Sequence, residues 1–197
     1  MWSVVLLLLC NTVCFSQKVG FEMYGGLSNS SLRGNAFGGE FVGRYSGHLG
    51  SMLTIPISDY LGINLGLCYT PRGAVLNTNY YPFPIFKLYY LEFPVLLSAG
   101  SKNVHIYFGP QFSALLKSDI DGLDENDLGL KYGLGIDTNG RFIMRLFGYS
   151  GLTNVLPVND YGLKNGYLQI AAGIKLVKST YVAGDTKTFN VPHRTID

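Results

Sequence analysis

The chain has 197 residues and a formal net charge of +2. So small a balance leaves no electrostatic footprint for nucleic acid. There is no run of about 18 apolar residues, which excludes a helical membrane span but not short, half-apolar barrel strands.

Met1 to Ser16 reads as a secretory signal peptide, with Val4 to Cys10 as its apolar centre and Cys14-Phe15-Ser16 before a cut at Gln17. Cleavage removes Cys10 and Cys14 and leaves Cys68, and a single cysteine makes no internal disulfide. The first strand is expected over Val19 to Ser28. Val19, Phe21, Met23 and Leu27 lie on one face, Glu22, Tyr24 and Gly26 on the other. A Gly-rich loop follows, about Asn29 to Val42. The second strand ends with Leu49, Leu53, Ile55 and Ile57 outward and His48, Gly50, Met52 and Thr54 inward. Ser58-Asp59-Tyr60 is a tight turn.

Leu61 to Thr70 is the clearest strand. Leu61, Ile63, Leu65, Leu67 and Tyr69 alternate with Gly62, Asn64, Gly66, Cys68 and Thr70. Side chains alternate faces along a strand, so one face is bulky and apolar and the other small or polar. A sandwich core would take the bulk inside. Here the small face suits a crowded lumen and the bulky face suits lipid.

Pro71 to Ile85 is expected as a second long loop. The fourth strand, Phe86 to Ser98, points Tyr89, Leu91, Phe93, Val95 and Leu97 outward, with Tyr90, Glu92, Pro94 and Ser98 inward. A turn near Ser101 and Lys102 leads into the fifth strand, Val104 to Leu116, with His105, Tyr107, Gly109, Gln111 and Ser113 inward. An acidic loop follows, Ser118 to Asp127. The sixth strand sets Leu128, Leu130, Tyr132, Leu134 and Ile136 outward, opposite in face to Gly129, Lys131, Gly133, Gly135 and Asp137. A three-residue loop, Thr138-Asn139-Gly140, would pair Asp137 with Arg141 and set Arg145 opposite Gly133. The seventh strand is Arg141 to Thr153. After a loop over Asn154 to Asn165, the eighth puts Leu168, Ile170, Ala172, Ile174 and Leu176 outward and Gln169, Ala171, Gly173 and Lys175 inward. Residues 179–197 are a polar tail.

The connections alternate long and short, as in outer-membrane barrels with short periplasmic turns and longer outer loops. The expected fold is all-β: an eight-stranded, antiparallel, closed, up-and-down transmembrane β-barrel over residues 17–178. Every strand pairs, so no hydrogen-bonding edge meets lipid.

The inward charges are Glu22, Glu92 and Asp137 against Lys131, Arg145 and Lys175. Buried charges need partners, so a neutral network filling the lumen is expected. His48, His105 and His193 have no metal-ligand spacing. Ser113 and His105 share a face but stand eight residues apart, too far along a strand for nucleophilic catalysis. No phosphate loop, cysteine pair or dinucleotide fingerprint is present. Asp119, Asp121, Asp124, Glu125 and Asp127 lack calcium-loop spacing and read as a solvated, lipopolysaccharide-bridging loop. No catalytic residue, metal or cofactor is therefore assigned. Pro94 and Pro110 remove ladder donors. The expected register sets Pro94 opposite Gly109 and Pro110 opposite Phe93, and makes Glu92 and Gln111 inward neighbours. That gives a lateral seam at Pro94, Gly109 and Pro110.

LEFPVLL (91–97), YFGPQFS (107–113), CYTPRG (68–73) and GLTN (151–154) fall in an order and spacing that resembles the PorT-like small outer-membrane β-barrel proteins. The resemblance covers about residues 17–178. It implies the barrel fold and, from the family's name-giving member, an accessory role in export through a type IX-like secretion system. The residues themselves point to a non-enzymatic barrel acting through its outer loops, in surface interaction or envelope integrity. A soluble barrel holding a small apolar ligand is the third reading, and it needs the opposite polarity. Expected partners are outer-membrane lipid, the outer-membrane assembly machinery and proteins meeting the outer loops. N-terminal sequencing of protein extracted from membranes should begin near Gln17, and a chain still carrying Val4 to Leu9 would overturn the signal-peptide reading.

Overall fold

The computed structural model describes residues 19–34, 40–77, 85–101, 103–119, 123–138, 141–158 and 161–179. The signal peptide, Asn139 and Gly140 at the third short turn, and the tail from residue 180 lie outside the described residues. The strands are β1 Gly20–Arg33, β2 Glu40–Pro56, β3 Leu61–Asn77, β4 Ile85–Gly100, β5 Val104–Ser118, β6 Asn126–Asp137, β7 Phe142–Gly151, β8 Leu156–Val158 and β9 Tyr161–Val177.

β1 to β7 pair antiparallel in chain order, and β7 then pairs with β9. β1 returns to β9 from Phe21↔Val177 to Arg33↔Lys164 and closes the sheet. The barrel thus has eight strands, β1 to β7 and β9. β8 folds only on the start of β9, with Leu156 opposite Leu163 and Val158 opposite Tyr161. At one end are three short turns, tied by bonds such as Ile57 N–H to the Leu61 carbonyl and Ser101 N–H to the Val104 carbonyl, both at 2.8 Å. Gly20 and Val177 lie at this turn end, and the longer connections lie at the other, the loop end.

Polarity is inverted relative to a soluble protein. In β3, Leu61, Ile63, Leu65, Leu67 and Tyr69 are 37–45% exposed, while Asn64, Cys68 and Thr70 are at most 1% exposed. The same alternation runs through β4 to β6, where Val95, Leu97, Ile106, Phe108, Leu134 and Ile136 face outward. Inside, side chains stack in four layers along the axis. An ionic layer at the turn end holds Glu22, Asp137 and Arg145. Next comes an aromatic and aliphatic layer of Tyr24, Met52, Leu96, Tyr107 and Phe147. A second ionic layer surrounds Arg72 and Glu92. The loop-end layer is apolar again, with Leu32, Ala74, Leu88, Val155 and Leu163.

Four expectations are corrected. First, the strands run further toward the loop end than the apolar alternation does: β1 continues to Arg33, β3 continues through the expected loop to Asn77, and β6 begins at Asn126. Backbone pairing persists where the outer face no longer has to be apolar, so the sequence signal stops before the strand does. Second, part of the expected 154–165 loop is the β8–β9 hairpin. Third, Asp137 pairs with Ile143, and Arg145 stands opposite Gly135 rather than Gly133. The register differs by two residues, so faces are preserved and heights are not. Fourth, Pro94 pairs with Gln111, and Glu92 with Ser113.

The last correction divides the proline seam. The β3–β4 ladder skips two positions between Leu65↔Val95 and Cys68↔Glu92, at the height of Pro94. The β4–β5 ladder skips two between Pro94↔Gln111 and Leu97↔Phe108, at the height of Gly109 and Pro110. Each proline lacks the N–H a ladder needs. Their gaps fall on opposite sides of β4 rather than on one interface.

Leu65→Arg should impair assembly, because a cation at the midplane of a barrel's lipid face costs roughly 2–4 kcal/mol. Asn64→Ser should cost about 1 kcal/mol, since it loses the 2.8 Å bond from Thr54 Oγ1 to Asn64 Oδ1. Heat-modifiable mobility and urea midpoints in detergent read the difference, and equal effects would reject the assigned faces.

Candidate functional site

Among the described residues, the lumen gathers the interacting charged groups in two ionic layers. The layer nearer the loop end centres on Arg72, which is fully buried. Its Nη2 donates to Glu92 Oε1 at 2.7 Å and to Ser113 Oγ at 2.9 Å, its Nε to Glu92 Oε1 at 3.1 Å, and its Nη1 to Asp127 Oδ2 at 2.7 Å. The guanidinium carbon sits 4.5, 4.6 and 4.9 Å from the ring centres of Tyr90, Tyr149 and Tyr167. Planar, delocalised and weakly hydrated, guanidinium suits such a cage of rings and carboxylates better than an ammonium would.

Partners come from around the barrel. Lys131 Nζ is 3.5 Å from Glu92 Oε2 and 3.3 Å from Gln169 Oε1. The Tyr167 hydroxyl lies 3.0 Å from both Glu92 Oε2 and Gln111 Oε1. So Glu92 and Gln111 share a bridging phenol although they are not opposite each other. Asn165 Nδ2 donates to Asp127 Oδ2 at 2.9 Å, and Thr153 Oγ1 donates to Asp127 Oδ1 at 3.0 Å.

The turn-end layer centres on Arg145. It donates from Nη2 to Glu22 Oε2 and from Nη1 to Asp137 Oδ1, each at 2.6 Å. Asp137 also takes the Lys175 ammonium and lies 3.1 Å from His105 Nε2. The two layers are separated by the Tyr24, Tyr107 and Phe147 rings, with Tyr107 and Phe147 edge to face at 5.6 Å.

The six expected lumen charges therefore fall in two groups. Glu92 and Lys131 meet near Arg72, whereas Glu22, Asp137, Arg145 and Lys175 meet near the turn end. Glu92 does not reach Arg145. Sequence reasoning missed Arg72 and Asp127, having put both in loops. Parity would have found them: Arg72 follows Cys68 and Thr70 on the inward face, and Asp127 precedes Gly129 and Lys131. Pro71 and the neighbouring acidic residues masked the pattern. Asp119 and Asp124 of that stretch remain exposed. His48 packs beside the Tyr24 ring, Ser113 and His105 serve different layers, and His193 lies outside the described residues.

The stretches that suggested a family meet here. CYTPRG supplies Arg72, LEFPVLL supplies Glu92, YFGPQFS supplies Gln111 and Ser113, and GLTN supplies Thr153. As a chemical device the cluster has its carboxylates and its guanidinium already spent on one another. It packs and neutralises the lumen.

The closed antiparallel barrel with an apolar wall and a charged interior is the architecture of outer-membrane barrel proteins. Among solved structures, the chain is similar to Ail, the attachment invasion locus protein of Yersinia pestis, with 13% identity over 80% of this chain and 99% of that one and a TM-score of 0.51. Similar too are OprG from Pseudomonas aeruginosa, with 16% identity, 81% and 97% coverage and a TM-score of 0.49, and Neisserial surface protein A, with 14%, 78%, 96% and 0.49. At these identities the likeness to Ail concerns the fold alone. No family model matches the sequence, and no curated protein does either.

Arg72→Met should destabilise the barrel by about 3–5 kcal/mol, because it leaves the buried Glu92 and Asp127 carboxylates short of a cation. Asp124→Ala, at an exposed position, should stay within about 0.5 kcal/mol. Urea unfolding in lipid or detergent checks both. An Arg72→Met barrel as stable as its parent would show that water, not the pairs, satisfies the carboxylates.

Proposed function

We propose that this chain is a small non-enzymatic barrel of the outer membrane, delivered by its N-terminal leader. It acts through its outer end, in surface interaction or envelope integrity, and carries nothing through its lumen. The filled interior carries this reading: four successive layers of side chains occupy the axis, and the widest ionic layer has Arg72 clamped between rings and carboxylates. Eight strands leave an interior just wide enough for side chains. An apolar ligand would have to displace packed side chains from the apolar layers and break ion pairs in the others.

The apolar belt supports lipid as the surrounding medium, and the shared fold with outer-membrane proteins supports that membrane. The turn end then faces the periplasm. Toward the loop end β1 turns polar, with Asn29, Ser31 and Arg33 on its outer face. The strands thus carry the longer connections clear of the lipid, where proteins can meet them. Lipid, the assembly machinery and such surface proteins are the partners this reading requires.

Convergence of four PorT-like stretches on the Arg72 cluster supports a second reading, an accessory role in type IX-like export. What those stretches build is a lumen packing, so the resemblance speaks more for a shared barrel than for a shared task.

Purified, heat-modifiable barrel in planar bilayers should give no steady conductance above the protein-free bilayer, and stepwise channels would overturn the closed-lumen reading. A deletion strain separates the two roles. Weakened attachment or envelope resistance with normal export supports the first, and retained cargo supports the second.

A further inference from the structure

The outer wall is not uniformly bulky. One row of paired residues crosses five strands: Tyr132, Gly148, Leu168, Asn29 and Tyr45. One step toward the loop end, Ser150, Gly166 and Ser31 are partners. Small residues in adjacent strands leave a groove of about 490 Å³ in the wall. Tyr132 and Tyr45, 47% and 74% exposed, stand at its sides.

Two glycines let side chains of the neighbouring strands lie flat on the floor. A Cβ on Gly148 would lie 2.6 Å from the Tyr132 ring, and one on Gly166 would lie 2.9 Å from Arg33 Nε. The Arg33 side chain therefore lies across Gly166 at the upper end of the groove. Its register partner, Lys164, is also exposed. Neither cation meets a carboxylate among the described residues.

Along the groove the chemistry changes in order. Leu27, Leu168 and Ile170 are apolar and more than half exposed. Asn29 and Ser31 then offer amide and hydroxyl groups. Arg33 follows at the loop end of the groove, and Lys164 is its exposed neighbour on β9, just beyond the lining. An acyl chain, a sugar-sized polar unit and a phosphate come in that order along one lipid class. Leu27 and Arg33 stand six residues apart on β1, about 20 Å at strand rise, and Asn29 and Ser31 fill that interval with polar groups, which is more than an ester linkage needs.

We propose that this groove binds one phosphorylated glycolipid of the lipid A type from the outer leaflet, with an acyl chain on Leu27, Leu168 and Ile170 and a phosphate at Arg33 and Lys164. Two neighbouring cations with no carboxylate partner among the described residues, at the end of an apolar trough, are complementary to that occupant and to no neutral lipid. The inference rests on the outer-membrane reading, and the test keeps the two apart by scoring insertion separately.

Full-length barrel, extracted and then shown to be heat-modifiable and inserted in lipid nanodiscs, is exposed to lipid A, phosphatidylglycerol or phosphatidylethanolamine and examined by native mass spectrometry. The parent should retain one lipid A and little of either phospholipid. Gly166→Phe, which pushes Arg33 off the floor and fills the groove, and the paired change Arg33→Gln with Lys164→Gln should each lower retention about tenfold. If Gly166→Phe fails to insert, the exposed double change still decides. Inserted parent that retains no lipid A, variants that retain as much as the parent, or equal retention of phosphatidylglycerol would each overturn the groove assignment while leaving the barrel reading intact. Failure of the parent to insert at all would overturn the outer-membrane reading instead.

Discussion

Closure of β1 on β9 is the constraint from which the rest follows. Hydrocarbon offers no partner to a backbone N–H or carbonyl, so a sheet crossing it has to leave no edge. The β1–β9 pairing runs the length of β1, from Phe21 to Arg33. Once the ring is shut with eight strands, the wall sorts every residue into lipid or lumen. That is why Leu61, Ile63 and Leu65 can be exposed in a stable protein while Arg72, Glu92 and Lys131 are buried in it.

A narrow lumen creates the second problem, how to fill it. Apolar side chains alone would suffice for packing, as the Tyr24–Phe147 and Leu32–Leu88 layers show. Interleaving them are charges, which isolate poorly and must be paired. The protein meets that cost by giving each buried guanidinium two carboxylates: Glu92 and Asp127 for Arg72, Glu22 and Asp137 for Arg145. Lys131 and Lys175 complete the balance on the shared carboxylates. Rings supply the remaining contacts, with Tyr149 and Tyr167 stacked at 4.9 Å beside Arg72.

Much of the fold was legible because lipid enforces strict alternation. Leu61 to Thr70 could be read as a strand, with its faces, from ten residues. Where the wall leaves the lipid, the rule relaxes, and Pro71 to Asn77 reads as a loop although it is paired. Parity also fixes faces without fixing heights. Arg145 was placed inward correctly but opposite the wrong glycine, because a register two residues away preserves every face. The cluster was half visible for the same reason. Glu92 and Lys131 sit amid clean alternation, whereas Arg72 follows a proline and Asp127 closes an acidic run. The outer groove was not legible at all. It depends on Gly148, Gly166 and Ser31 falling side by side, and only the register of three strands reveals that.

That ambiguity makes the Arg72 cluster the part of the barrel that tells one register from another. Sliding a strand by two residues leaves the apolar belt unchanged, so the belt cannot distinguish the native register from its even-numbered neighbours. It does move each lumen group by about 7 Å, beyond any hydrogen bond. Arg72 on β3 draws on Glu92 from β4, Ser113 from β5, Asp127 from β6, Tyr149 from β7 and Tyr167 from β9. No single hairpin satisfies it, and no slipped ring does. The guanidinium is fully matched only when all six strands share one alignment, so side-chain pairing in the lumen fixes the register of a wall whose apolar belt is the same in several.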